Sequence, residues 1–305
     1  MTLDDYEIVS TLGSKGKFGG VQIAHKKGDP SQKVTIKRID RYGERLFPLL
    51  QQVKEIKNDN IAPIIDVLDV PGEGLYIIRE MVEGTDLKTI FTQKSLYRRV
   101  DERKFIDAGC AVLKALTAVH SAGVIHRDVK PSNVIIPHAK DEDVTKADFS
   151  KAVLIDFEQA SPYPDSSGVR SAFALVYSPP EMLLKYNSLV GPWSDLFALS
   201  VMLFQLIMGK APYTDCNPEI LVNLQLTYPM KQPTRMADDL FACLSKAAYK
   251  EQFRVPPRRM EQQEIEQTLR RGVEGRYQCA ADMLADLQRV QEPFKKVSWI
   301  QKVFS

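Results

Sequence analysis

The stretch Ile125-His126-Arg127-Asp128-Val129-Lys130-Pro131-Ser132-Asn133 gathers a carboxylate, an ammonium and an amide into one short loop, which the apolar Val134-Ile135-Ile136 then closes. Phosphoryl transfer requires a carboxylate at the incoming hydroxyl, a cation near the migrating phosphoryl group and a metal ligand; Asp128, Lys130 and Asn133 would supply all three. Downstream, Leu154-Ile155-Asp156-Phe157-Glu158 reads as a strand ending in a second carboxylate. Near the N-terminus, Leu12-Gly13-Ser14-Lys15-Gly16-Lys17-Phe18-Gly19-Gly20-Val21 is a glycine-rich segment. Backbone amides without side chains approach phosphates closely, and Lys15 and Lys17 add positive field.

Three further segments follow in order: Tyr177-Ser178-Pro179-Pro180-Glu181, Ser194-Asp195-Leu196-Phe197 and Glu274-Gly275-Arg276-Tyr277. Together with Val34-Thr35-Ile36-Lys37, these motifs resemble the eukaryotic-type protein kinases, Ser/Thr class, over roughly residues 6–292. The resemblance implies an α+β, two-lobed protein-kinase fold with a small antiparallel sheet lobe carrying one helix and a larger helical lobe. It implies ATP and Mg²⁺ as cofactors and a protein substrate phosphorylated on Ser or Thr, with autophosphorylation as well. By the same resemblance Asp128 is the catalytic base and Lys130 the charge stabiliser, a lysine that favours the Ser/Thr class over the tyrosine-specific one. Asn133 and Asp156 hold the metal. Leu12, Gly13, Gly16, Gly19 and Val21 cover the phosphates, Lys37 grips them, and Glu80 and Val82 of the hinge Glu80-Met81-Val82 bind the nucleotide. Glu181 is expected to pair with Arg276, Ser194 to cap the central helix and Asp195 to brace the catalytic loop backbone.

Several positions depart from the family pattern. Leu49 stands where the helix normally offers Lys37 a Glu, leaving Glu44 and Glu55 as substitutes from a displaced helix. Arg79 falls at the gatekeeper position, where a buried guanidinium demands an acidic partner. Glu158 replaces a glycine, and is expected to neutralise Arg79 or Lys37 in place of the missing helix acid. Ala174 and Ser200 replace a Thr and a Gly, and one residue is inserted after Gly13. Three readings follow: an active kinase, a nucleotide-binding pseudokinase acting as scaffold or allosteric regulator, and a kinase-fold enzyme with a small-molecule substrate. Arg127 would receive an activation-loop phosphate on Ser161, Ser166, Ser167 or Ser171; the same serines fit a plain polar loop equally well.

The elements that must position these groups can be read from periodicity. Strands are predicted over 6–12, 20–25, 34–39, 64–68 and 75–80, with a helix over 47–57 whose Leu49, Leu50, Val53 and Ile56 recur at helical spacing. Beyond the polar connector Glu83-Gly84-Thr85-Asp86 the pattern turns helical, with Phe105, Ala108, Val112, Leu113, Leu116 and Val119 forming one stripe. This gives a strand lobe at 1–84, a helical lobe at 85–292 and a tail at 293–305. The apolar run 196–208 is short for a membrane span and reads as a buried core helix. Residues 137–150 and the basic stretch 250–272 read as solvated, and the tail through Phe294 and Trp299 either packs on the domain or docks a partner. A net charge of +2 argues against nucleic acid as a partner. The four dispersed cysteines and the acidic N-terminus point to a reducing, cytoplasmic setting.

Overall fold

The structure is a computed structural model that describes residues 2–12, 20–40, 45–164, 174–253, 255–290 and 292–295. Gly13, Gly16 and Gly19 of the glycine-rich segment, Lys15, Lys17, Glu44, the loop serines 166, 167 and 171 and the tail from 296 lie outside the described residues.

The chain opens with strands β1 (Tyr6–Leu12), β2 (Val21–Lys26) and β3 (Asp29–Ile39), helix α1 (Leu46–Lys54), and strands β4 (Ile64–Val70) and β5 (Gly74–Glu80). All five strands pair antiparallel in the order β1-β2-β3-β5-β4. Period-two alternation splits β3 between two environments. Val34 and Ile36 pack with Tyr6, Ala24, Tyr76 and Ile78 in a small core, while Thr35 and Lys37 point to the opposite face. Helix α1 starts one residue earlier and ends three sooner than its periodicity suggested. Pro48 still falls within the first turn, where a missing N–H costs nothing. Leu46, Leu49, Leu50 and Val53, at i, i+3, i+4 and i+7, bury one face of α1 against Ile64, Val67, Leu75 and Ile77 of the sheet.

The connector is ordered. Strand β6 (Gly84–Asp86) leads into α2 (Leu87–Thr92), α3 (Lys94–Tyr97) and the long α4 (Glu102–Ser121), followed by β7 (Val124–Ile125), β8 (Val134–Pro137), β9 (Val153–Leu154) and β10 (Ser161–Pro162). β6 pairs with β8, which pairs in turn with β9. Gly84 has φ 158°, and a Cβ there would meet the Ile136 carbonyl at 2.2 Å, so only glycine permits this pairing. Helices α5 (Pro180–Leu183), α6 (Pro192–Met208), α7 (Pro218–Thr227), α8 (Asp238–Ala247), α9 (Gln262–Glu274) and α10 (Ala280–Arg289) complete the helical lobe. α6 is apolar on all sides and accordingly buried, packed against α4, α8 and α10. The cap of α6 is Gly191. Ser194 sits three positions later, accepts the Gly191 N–H at 3.2 Å and donates to Glu181 Oε1 at 2.7 Å, so its role differs from the expected cap. Ser200 donates to the Leu244 carbonyl at 2.6 Å, which satisfies a hydroxyl inside the core.

Two stretches expected to be solvated are anchored instead. Within 137–150, Val144 and Phe149 are buried, Phe149 lying edge-on to Phe105 with ring centres 6.0 Å apart. At the start of the basic stretch, Lys250 is 5 % exposed; its Nζ lies 3.9 Å from the Tyr213 ring centre and donates to the Gln225 carbonyl. A polar local sequence cannot reveal this, because Tyr213 and Gln225 arrive from distant elements. All four cysteines are free, and burial pushes the Cys110 and Cys243 thiols up to about 11. Among the described residues no helix is long and apolar enough to cross a membrane.

Burial, with repulsion from Arg276, pushes the Lys250 ammonium down to about 6. Between that value and the ordinary lysine value near 10.4 the unfolded chain binds a proton that the folded chain lacks, so this group makes stability rise with pH. The slope is limited to about 1.4 kcal/mol per pH unit, and the face of Tyr213, which favours the charged form, reduces it. Lys250→Met is therefore expected to flatten the pH dependence of urea unfolding between pH 6.5 and 9. Parallel profiles for the two proteins would show that Lys250 stays charged in the fold.

Candidate active site

The loop between β7 and β8 is held from below by Asp195, in the first turn of α6. Its carboxylate accepts the backbone N–H groups of His126 at 2.9 Å and Arg127 at 2.7 Å, and a third hydrogen bond from His120 Nε2 at 2.9 Å. Burial alone would raise the Asp195 carboxyl, but the hydrogen bond and charge from His120, with the other donors, hold it below the usual range. These bonds sustain Arg127 at φ 65°, a left-handed conformation unfavourable for any residue but glycine. The turn at Pro131–Asn133 then folds back on Asp128. Asp128 Oδ2 accepts from Lys130 Nζ at 2.5 Å and from Asn133 Nδ2 at 2.9 Å, and Asn133 Nδ2 also reaches the Asp128 carbonyl at 2.8 Å. Asn133 thus spends its amide N–H groups within the loop, and among the described residues its Oδ1 meets only the Ser132 hydroxyl, at 3.5 Å.

β9 delivers the second carboxylate. The Ile155 N–H donates to the Asn133 carbonyl at 2.9 Å, tying this segment to the catalytic-loop candidate, and Asp156 takes φ 71°. Both Asp156 oxygens accept from Lys37 Nζ, at 2.8 and 2.9 Å, and Glu158 Oε2 lies 2.7 Å from the same ammonium. Burial pulls the Lys37 ammonium down, but Asp156 and Glu158 outweigh it and hold the group above its ordinary value. The converse applies to Asp156: burial raises it, and Lys37, His126 and Lys130 together bring it below the usual carboxylate range. Leu49 is buried in the core and Glu55 is exposed at the end of α1, so neither serves Lys37; the acid arrives from Glu158, as the sequence suggested. Phe157 turns inward beside His126, ring centres 4.8 Å apart.

Between the lobes, a cleft enclosing about 510 Å³, part of it open to solvent, is lined by Val21, Thr35, Lys37, Arg79, Asp156 and Phe157 among others. Leu12 ends β1 opposite Val21, at the rim of the strand pair that leads to this cleft. Glu80 and Val82 belong to the crossing segment and are absent from the cleft lining. Arg79 does not acquire the acidic partner expected for it. Among the described residues it forms no ion pair, and its one hydrogen bond runs from Nη1 to the Glu80 carbonyl at 3.2 Å. Burial draws its guanidinium below the ordinary value, with the charge of Asp156 acting in opposition. Ala174 lies beside Arg127 and Asp128 without a side-chain hydrogen bond to offer. Ser161 is 6 % exposed and pairs with Ile125, which removes it from the accessible phosphate acceptors in this conformation. Asn60, in the turn before β4, donates to the Ala152 carbonyl at 2.9 Å, while its own backbone carbonyl accepts the Leu154 N–H at 2.8 Å. These bonds satisfy a residue that is 8% exposed.

A model of the protein kinase domain matches residues 6–269. The chain belongs to the protein kinase family. It is 30% identical to a calcium/calmodulin-dependent protein kinase type 1 of Macrobrachium nipponense over 70% of this chain and 60% of that protein. It is 32% identical to a mitogen-activated protein kinase of Schizosaccharomyces pombe over 66% of this chain and 54% of the relative. A human SNF-related serine/threonine-protein kinase aligns over 86% of this chain at 26% identity, and over 32% of its own length. The chain thus spans about half the length of the first two relatives and a third of the last. The two-lobed kinase fold accounts for the sheet order, the buried α6 and the loop braced by Asp195.

Proposed function

We propose that this kinase transfers the γ-phosphoryl group of ATP to Ser or Thr hydroxyls of a protein substrate. The observation that carries the reading is the hydrogen-bonded set Lys130, Asp128 and Asn133 in one loop, tied through Ile155 to the Lys37, Asp156 and Glu158 cluster. Asp128 orients the incoming hydroxyl and accepts its proton, and Lys130 stabilises charge beside it. Oxygen donors from Asn133 Oδ1 and Asp156 suit Mg²⁺, which when bound would neutralise the nucleotide's phosphate charge. An ammonium has three N–H donors, and Asp156 takes two of those of Lys37 while Glu158 takes the third. With Asp156 turned away, Lys37 can grip phosphate oxygens and still be held by Glu158. In this reading Gly13, Gly16 and Gly19 lie over the phosphates, with Leu12 and Val21 flanking them, and Glu80 and Val82 meet the base. The division at 84 and 292 separates the lobes and the tail. The same reading places the protein in the cytoplasm. Phe294 packs beneath Arg235, 4.6 Å from the guanidinium to the ring centre, which leaves the tail beyond Lys295 as the place to seek a docking partner.

The test is transfer of label from γ-labelled ATP to a generic basic substrate, with and without Mg²⁺. Metal-dependent labelling on Ser or Thr is the expected result; nucleotide binding without any transfer would favour a scaffold. Glu158→Gln is expected to lower kcat/KM for ATP roughly tenfold, the worth of one charge-assisted hydrogen bond in a half-buried site. Glu55→Gln should leave it unchanged, and equal rates for both variants would return the Lys37 partnership to another residue.

A further inference from the structure

Arg79 stands opposite Thr35 on β3 and Ile64 on β4, a register that directs it to the cleft face of the sheet. Its single hydrogen bond is spent on the Glu80 carbonyl, and its remaining N–H groups have no partner among the described residues. The neighbouring backbone is also committed: the Glu80 N–H donates to Pro63 at 2.9 Å and the Met81 N–H to Lys33 at 3.1 Å. The Glu80 carbonyl thus already accepts one donor, from Arg79, and keeps one lone pair. Guanidinium offers five donors and no acceptor. Thr35, 4 % exposed and also lining the cleft, adds a hydroxyl that donates or accepts.

Adenine presents an amino group at ring position 6 and asks for an acceptor; guanine and hypoxanthine present a carbonyl there, beside N7, and ask for donors. An arginine fork matches the O6 and N7 pair bidentately. Resting on the reading that this cleft holds the nucleotide, we propose that Arg79 widens base specificity, so that the site takes 6-oxopurine nucleotides, GTP and ITP, alongside ATP. Arg79 acts as the base-selecting side chain, facing the O6 edge while the sugar and phosphates lie towards Lys37.

The experiment is competition binding on the whole 305-residue chain with Mg²⁺, using ATP, GTP and ITP to displace a fluorescent ATP analogue. In the wild type GTP and ITP are expected to bind within about tenfold of ATP, ITP showing that the 2-amino group is dispensable. Arg79→Met is expected to shift the GTP-to-ATP affinity ratio towards ATP by about tenfold or more, and Arg79→Lys, which keeps a donor, by less. GTP and ITP binding more than a hundredfold weaker than ATP, or a ratio unmoved in Arg79→Met, overturns the proposal while leaving the ATP reading intact. Failure of all three nucleotides to bind removes the nucleotide-cleft reading and this inference with it. Thermal melts establish that the variants fold, and if Arg79→Met does not, the wild-type ratios decide alone.

Discussion

Asp128→Asn is expected to lower the rate of phosphoryl transfer about a thousandfold while leaving ATP affinity within about twofold. The substitution keeps the shape of the side chain and removes its capacity to accept a proton, so the loss falls on the chemical step. It also disturbs the charge pattern. Lys130 Nζ, 2.5 Å from Oδ2, loses its anionic partner, and the Asn133 amide, 2.9 Å from the same oxygen, must share an amide that can turn either an oxygen or an N–H towards it. The Asp195 brace does not depend on Asp128, since it holds the N–H groups of His126 and Arg127, so the loop should keep its path. Single-turnover label transfer, set beside nucleotide binding, separates the two effects. A rate within tenfold of wild type would mean that Asp128 is not the base and that the hydroxyl is activated elsewhere.

The largest effect on stability is expected at Glu181. Its carboxylate and the Arg276 guanidinium form a bidentate pair at 2.8 and 3.1 Å, with side-chain exposures of 0% and 1%. Glu181→Gln leaves that guanidinium buried with its Nε bond to the Tyr249 carbonyl and its contact with the Phe197 ring, but with no counter-charge. Breaking one side of a buried pair costs about 3–5 kcal/mol, because the surviving charge has lost both its water and its partner. The Glu181→Met, Arg276→Met double variant should lose clearly less, since no charge is then stranded. Urea unfolding of the two variants decides the matter. A single substitution costing under about 1 kcal/mol would show that water or another side chain reaches Arg276.

The sequence made the strand lobe legible because half-buried strands alternate, and β3 carries that alternation from Val34 to Lys37 together with its motif. It made the Lys37 and Glu158 pairing legible by subtraction: a lysine in a cleft needs acid, Leu49 removes the usual supplier, and an unusual Glu lies two residues after Asp156. What stayed hidden depends on tertiary approach. Lys250 sits in a polar stretch, and only the arrival of Tyr213 and Gln225 buries it. Arg79 was expected to require a carboxylate in contact, yet a neighbouring carbonyl and the field of Asp156 stand in its place. Ser194 carried the chemistry of a cap, but the chain turns three residues earlier, at Gly191, leaving the hydroxyl free to serve Glu181.

Both carboxylates on Lys37 belong to one short segment, 156–158, while α1 is fixed by Leu46, Leu49, Leu50 and Val53. Here the pair that holds Lys37 is local to one segment, so Glu158 keeps its hold on the ammonium when Asp156 turns to another ligand. The acid partner of Lys37 is thus independent of where α1 lies, and α1 is held by its apolar face with Lys54 paired to Asp66 at 3.2 Å.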